Sequence, residues 1–121
     1  MAVSAVVLPD GRALAVTGAD DGTVRVWDLV TGRSVGEPLT GHTGWVRAVS
    51  AVVLPDGRAL AVTGSDDRTV GVWDLATGSA VGVPLHAPGP VEALAAQVVE
   101  GELVVVLGGA GVAVVSVRIQ V

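Results

Sequence analysis

Apolar positions come in short bursts separated by turn chemistry. In mid-chain, WVRAVSAVVL (45–54) is apolar and β-branched, and Pro55-Asp56-Gly57 closes it. Proline presets φ, aspartate bonds its own backbone and glycine accepts positive φ, which together make a tight turn. RALAVTG (58–64) reads as the next strand, and SDDR (65–68) as a turn whose aspartates satisfy loose amides. TVGVWDL (69–75) alternates as a strand does. After Ala76-Thr77-Gly78, SAVGVPL (79–85) is a weaker strand whose Pro84 suits a sheet edge. No 3.6-residue period with helix caps is found. The pattern predicts four short antiparallel strands joined by hairpin turns.

The pattern repeats. Residues 2–39 align with 48–85 at a constant offset of 46, and only seven of 38 positions differ: Ala19/Ser65, Gly22/Arg68, Arg25/Gly71, Val30/Ala76, Arg33/Ser79, Ser34/Ala80 and Glu37/Val83. A third, worn unit follows. Val91-Glu92-Ala93-Leu94 tracks Val46-Arg47-Ala48-Val49 at an offset of 45. GELVVVLG (101–108) stands for its second strand and VAVVSV (112–117) for its third. A period of this size indicates a solenoid, propeller or array, and four antiparallel strands per unit describe a propeller blade. The expected fold is all-β, with blade 1 at about 2–39, blade 2 at about 45–85 and a degenerate blade 3 at about 91–118.

The stretch LTGHTGWVRAVSAVVLPDGRALAVTGSDDRTVGVWDLATG (39–78) closely resembles a WD40 repeat. It carries Gly41-His42 near its start, the PDG turn, the G-S-x-D-x-T-V stretch (64–70) and Trp73-Asp74. The first unit shares these features, including Trp27-Asp28, but starts too late to contain a Gly-His. In the third unit the Trp-Asp position reads Val115-Ser116, and His86 is spaced differently from His42. AVSAVVLPDG is about two residues longer than the usual first strand of such a repeat, which predicts a longer strand or a bulge. The resemblance implies a hydrogen-bonded structural tetrad of His42, Thr63, Asp67 and Trp73, with Thr17, Asp21 and Trp27 as its partial copy. It also implies a rigid platform for a protein or peptide partner, not an enzyme. The loops expected on one face of such a repeat include Thr43-Gly44-Trp45 and Asp66–Arg68. Trp and Arg are over-represented at binding hot spots, so Trp45, Arg47 and Arg68 are the candidate partner-binding residues.

Composition narrows the alternatives. The 121 residues suit one domain, and half are hydrophobic. A net charge of −5 argues against a nucleic-acid partner. With no cysteine there is no disulfide, thiolate metal site or Cys nucleophile, which fits a reducing, cytoplasmic setting. All seven basic residues are Arg, Asn is absent and Ile occurs once, which points to a GC-rich, bacterial genome. No targeting segment is visible. The uncharged run of 15 residues between Glu102 and Arg118 is too short for a membrane span and reads as two strands around a Gly turn.

No constellation of catalytic or metal-binding type stands up. The His-Asp-Thr trio is explained by the tetrad and lacks the exposed nucleophile of a triad. Asp20-Asp21 and Asp66-Asp67 are adjacent pairs without the spacing of a calcium loop, and two isolated histidines make a poor zinc site. GGAGVA (108–113) has the wrong spacing for a phosphate loop and leads into β-branched residues. No cofactor is expected. Eleven strands are expected, too few for a closed ring of roughly four to eight blades. The leading expectation is the C-terminal part of a larger propeller protein. The alternative is a module that closes a ring as a homo-oligomer, dimer or trimer, and binds a sugar or small ligand.

Overall fold

The computed structural model describes residues 2–109 and 115–119. The described chain is all-β and forms three antiparallel sheets. The first contains β1 (Ala2–Val7), β2 (Ala13–Gly18) and β3 (Val24–Asp28), paired in chain order. The second contains β4 (Val46–Val53), β5 (Ala59–Ser65) and β6 (Thr69–Asp74), with the short pieces β7 (Ser79–Ala80) and β8 (Leu85–His86) both paired to β6. The third contains β9 (Ala93–Val99), β10 (Glu102–Gly108) and β11 (Val115–Ile119). The first strands β1, β4 and β9 lie side by side, so the sheets fan out from them as in part of a β-propeller.

Identical sequence gives identical turns. Asp10 and Asp56 each accept the amide two residues on, Arg12 and Arg58, at 3.0 Å, and Gly11 and Gly57 both hold φ +90°.

The fourth strand departs from the expectation. In the first unit it shrinks to two isolated bridges, Trp27 with Ser34 and Val24 with Leu39. In the second it breaks into β7 and β8. In both units five residues span what the partner strand covers in three. The surplus loops out at Gly36 and Gly82, which turn through φ +70° and +69°, and the following Pro38 and Pro84 have no amide to donate.

Two other details also differ. β1 pairs with β2 in unbroken register, whereas β4 carries a bulge at Arg47, one residue ahead of the stretch predicted to be irregular. In the third sheet the pairing sets Val117-Arg118 opposite Val105-Val104, so the position of Trp73-Asp74 falls two residues beyond the predicted Val115-Ser116. The predicted strand 112–117 and the GGAGVA segment lie partly outside the described residues.

Apolar side chains fill the two joints between sheets. Leu14, Val16, Val24, Val26 and Leu39 of the first unit meet Val46, Ala59, Ala61, Trp73 and Leu75 of the second. Leu60, Val62, Val70 and Val72 on the opposite face of the second sheet meet Val91, Leu103, Val105 and Leu107. β5 is therefore buried along its whole length, on both faces.

Each joint has the same fastening. The amides of Val46 and Val91 donate to Ala19 and Ser65 carbonyls at 3.0 Å. The hydroxyls of Ser4 and Ser50 accept the amides of Ala51 and Ala96 across the joint at 3.2 and 3.3 Å. Val46 and Val91 fit over Gly18 and Gly64, where any Cβ would come within 2.4 Å of the valine Cγ1.

Candidate functional site

Two constellations merit separate treatment: the buried polar network of the second unit and the loop face around Trp45.

The network starts from Trp73, whose indole Nε1–H donates to Thr63 Oγ1 at 2.9 Å. Thr63 is fully buried, and its hydroxyl also lies 2.7 Å from His42 Nε2. An indole only donates, so the single Thr63 proton is directed to His42 Nε2. The ring proton then sits on Nδ1 and is donated to Asp67 Oδ2 at 3.1 Å. Asp67 also accepts the amides of Thr43 and Thr69, each at 2.9 Å, and the Thr69 hydroxyl. Burial by itself would raise the Asp67 pKa. Hydrogen bonds from the Thr69 hydroxyl, the Thr43 amide, the His42 ring and the Thr69 amide outweigh it and hold the pKa lowered to about 2. Among the described residues no buried side-chain polar atom lacks a partner. The structure thus brings His42, Thr63, Asp67 and Trp73 into one chain of hydrogen bonds tying the 42–43 loop to β5 and β6.

Sequence reasoning missed two members. Thr69 takes part through its hydroxyl and amide, and its signal was the Asp-x-Thr spacing of a side-chain-capped turn. Gly71 makes room for the network, since a Cβ there would lie 2.9 Å from Trp73 Nε1 and 3.1 Å from Thr63 Oγ1. The Arg25/Gly71 difference therefore has an interior steric cause at Gly71. Gly22/Arg68 has one too: a Cβ on Gly22 would lie 2.6 Å from the His42 carbonyl oxygen.

In the first unit the same residues separate into two groups. Trp27 Nε1–H donates to Thr17 Oγ1 at 3.0 Å. Asp21 instead accepts the Thr23 hydroxyl at 2.6 Å and its amide at 2.9 Å, and these lower its pKa. With no histidine to bridge them, nothing links Asp21 to Thr17.

Trp45 and Arg47 meet on the loop face. The bulge turns Arg47 outward between the buried Val46 and Ala48. Its guanidinium carbon lies 4.6 Å from the centre of the Trp45 ring, and its Nε–H donates to Asp66 Oδ1 at 2.6 Å. The Asp66 amide in turn donates to the Trp45 carbonyl at 2.9 Å. The Asp66 hydrogen bond leads in raising the Arg47 pKa, and Glu92 adds to it through space. Trp45 nonetheless stays 49% exposed. A cavity of about 560 Å³ opens beside it, lined by Ala19, Asp20, Trp45, Val46, Arg47 and Glu92, so all three units contribute. Arg68 is absent from this wall. It sits at φ +68° one turn further on, its carbonyl accepting the Ala87 amide. Glu92 was missed because its place depends on how the third sheet docks.

His86 lies exposed on β8, away from the network. Among the described residues, no three His, Asp or Glu side chains are placed to hold a metal ion. No helix among them is long and apolar enough to cross a membrane.

Comparison with known proteins adds the family. The sequence model described as WD domain, G-beta repeat matches residues 1–28 and 32–74, more than half of the chain. The chain is similar to the nuclear distribution protein PAC1-2 of Uncinocarpus reesii, with 56% identity over 34 residues, 28% of this chain and 7% of that protein. It is similar to the ribosome biogenesis protein ERB1 of Chaetomium thermophilum, with 66% identity over 32 residues, 26% of this chain and 4% of that protein. ERB1 of Chaetomium globosum matches with 74% identity over 27 residues, 22% of this chain and 3% of that protein. The crystal structure of the computationally designed Ika4 protein superimposes with a TM-score of 0.71 and 31% identity, over 88% of this chain and 61% of that one. The chain thus spans a small part of the natural relatives it matches and under two thirds of the designed structure.

Proposed function

Because the chain belongs to the WD40 repeat family, we propose that it is a non-catalytic platform for a protein or peptide partner, engaged through the face that carries Trp45 and Arg47. The observation that carries this reading is the shelf itself. Trp45 is half exposed, yet Arg47 covers one side of it and Asp66 holds both residues, so little side-chain freedom is left to lose on binding. Arg68 joins the same surface at its outer margin. The similar proteins, named for nuclear distribution and ribosome biogenesis, fit a role in assemblies. The test is binding of a captured partner to Trp45→Ala and Arg47→Ala. Each is expected to weaken binding at least tenfold, and unchanged binding by both removes this face from consideration.

The buried tetrad serves the platform structurally, by fixing the loop that bears Trp45. The three units, at about 2–39, 45–85 and 91–118, act as blades of a larger propeller of which this chain supplies the C-terminal part, in the cytoplasm. A second reading is assembly with further copies. Its support is that Val3 and Val7 on β1 are 67% and 65% exposed, whereas their repeat counterparts Val49 and Val53 pack into the first joint. Absolute mass by light scattering separates the two, a discrete dimer or trimer favouring assembly. A sugar-binding role rests on nothing in the loop face beyond Trp45, and a glycan array without hits ends it. The natural relatives are fungal and lend no support to a bacterial source. That proposal rests on composition and is checked by third codon positions rich in G and C.

A further inference from the structure

The cavity beside Trp45 has an unbalanced wall. Arg47 is its one cation, and Asp66 already claims it at 2.6 Å. Asp20 and Glu92 remain, and among the described residues neither forms an ion pair. Backbone hydrogen bonds fix the segments that bring the two carboxylates together. Val46 donates to the Ala19 carbonyl at 3.0 Å next to Asp20, and Glu92 donates its own amide to the Gly108 carbonyl at 3.0 Å. The chain as a whole carries −5. An acidic partner is repelled by both the wall and the net charge. An apolar one strips water from two carboxylates and returns nothing to them. A cationic side chain supplies both missing charges' counterpart, and its methylene stem packs against the exposed part of Trp45.

Resting on the platform reading, we propose that the partner presented to this face is a basic peptide segment, with a lysine or arginine side chain entering the Trp45 cavity between Asp20 and Glu92. Attraction of this kind directs encounter and partner choice, and it weakens as salt screens it.

The experiment pans a phage-displayed library of random 12-residue peptides against the full chain. Recovered peptides are then synthesised and titrated at low and high salt. The variants are Trp45→Ala and the exposed double substitution Asp20→Asn with Glu92→Gln, each checked for unchanged circular dichroism and melting. The expected result is enrichment of Lys and Arg, affinity at least tenfold weaker in the double variant and in Trp45→Ala, and a several-fold loss at high salt. Peptides that need Trp45 but show no enrichment of Lys or Arg, or that bind the double variant equally well, overturn the basic class and leave the platform face standing. An absence of binders, or binding indifferent to Trp45→Ala, overturns both.

Discussion

Thr17 and Thr63 occupy the same place in identical 17-residue stretches, yet the same substitution is expected to act differently at each. Thr→Val keeps the side-chain shape and removes only the hydroxyl. At Thr63 the change orphans two groups in a fully buried site, the Trp73 indole N–H and His42 Nε2. An unsatisfied buried polar group costs about 1–3 kcal/mol. At Thr17 only the Trp27 indole loses its partner, and both residues are only half-buried, so water replaces the hydroxyl and the loss is about 0.5–1 kcal/mol. Deeper burial favours valine more at 63 and narrows the gap. A difference of roughly 1–3 kcal/mol remains, with Thr63→Val the less stable. With urea slopes of about 1–3 kcal/mol per M, the two midpoints should differ by about 1 M. Urea titration followed by circular dichroism reads this directly, and local sequence cancels from the comparison. Equal losses at the two positions, or a larger one at Thr17, would refute the claim that the histidine-linked network, and not the strand, is what Thr63 supports. A cycle with His42→Leu adds a second check, since residues in one network should couple by about 0.5 kcal/mol or more.

The other predictions concern the joints, acid and the turns. Gly64→Ala sets a Cβ within 2.4 Å of Val91 Cγ1 and should cost about 1–3 kcal/mol by overpacking, with partial recovery on adding Val91→Ala, both read by thermal melting. The Asp67 pKa is lowered in the fold, so its stabilisation is complete above the unfolded value of 3.8 and disappears as pH falls through about 2. That predicts roughly 2 kcal/mol lost across this acid window, and a flatter stability profile there for Asp67→Asn. Arg68 holds φ +68°, which an L side chain resists, so Arg68→Gly should stabilise by about 0.5–1 kcal/mol, whereas Gly22→Ala should destabilise because its Cβ meets the His42 carbonyl. Arg47→Ala should change the melting temperature little, because an exposed ion pair contributes about 0–1 kcal/mol, even where it abolishes partner binding.

Most of the fold was legible because strands and turns announce themselves locally. The PDG turns, the alternation in 69–75 and the repeat offset placed the strands to within a few residues. The broken fourth strand was not legible, although Gly36-Glu37-Pro38 carried its cause, because two surplus residues become visible only once Leu39 is seen paired with Val24. In the third sheet, sequence alignment put Val115-Ser116 where the strand register puts Val117-Arg118, since nothing in a worn repeat fixes the length of its last turn. Of the site, residue types marked Trp45 and Arg47. Their contact depends on a bulge, and Glu92 arrives from another unit, so neither follows from neighbours in sequence. Gly18 and Gly64 were hidden differently. Both ended strands as turn glycines do, but their purpose is the valine seated on them, 28 and 27 residues later in the chain.

That seating has a consequence for how such a gene changes. Each unit carries both halves of the fastening: a glycine and a carbonyl at the end of its second strand, and a valine amide at its own entrance. A copy inserted between the first two units in the same 46-residue register finds a socket ahead of it and offers one behind it, with no compensating substitution. Unequal crossing-over within the stretch shared by residues 2–18 and 48–64 therefore adds or deletes whole units and leaves well-made seams. Copy number can drift among alleles at little cost to folding, whereas any slip out of that register separates every later valine from its glycine.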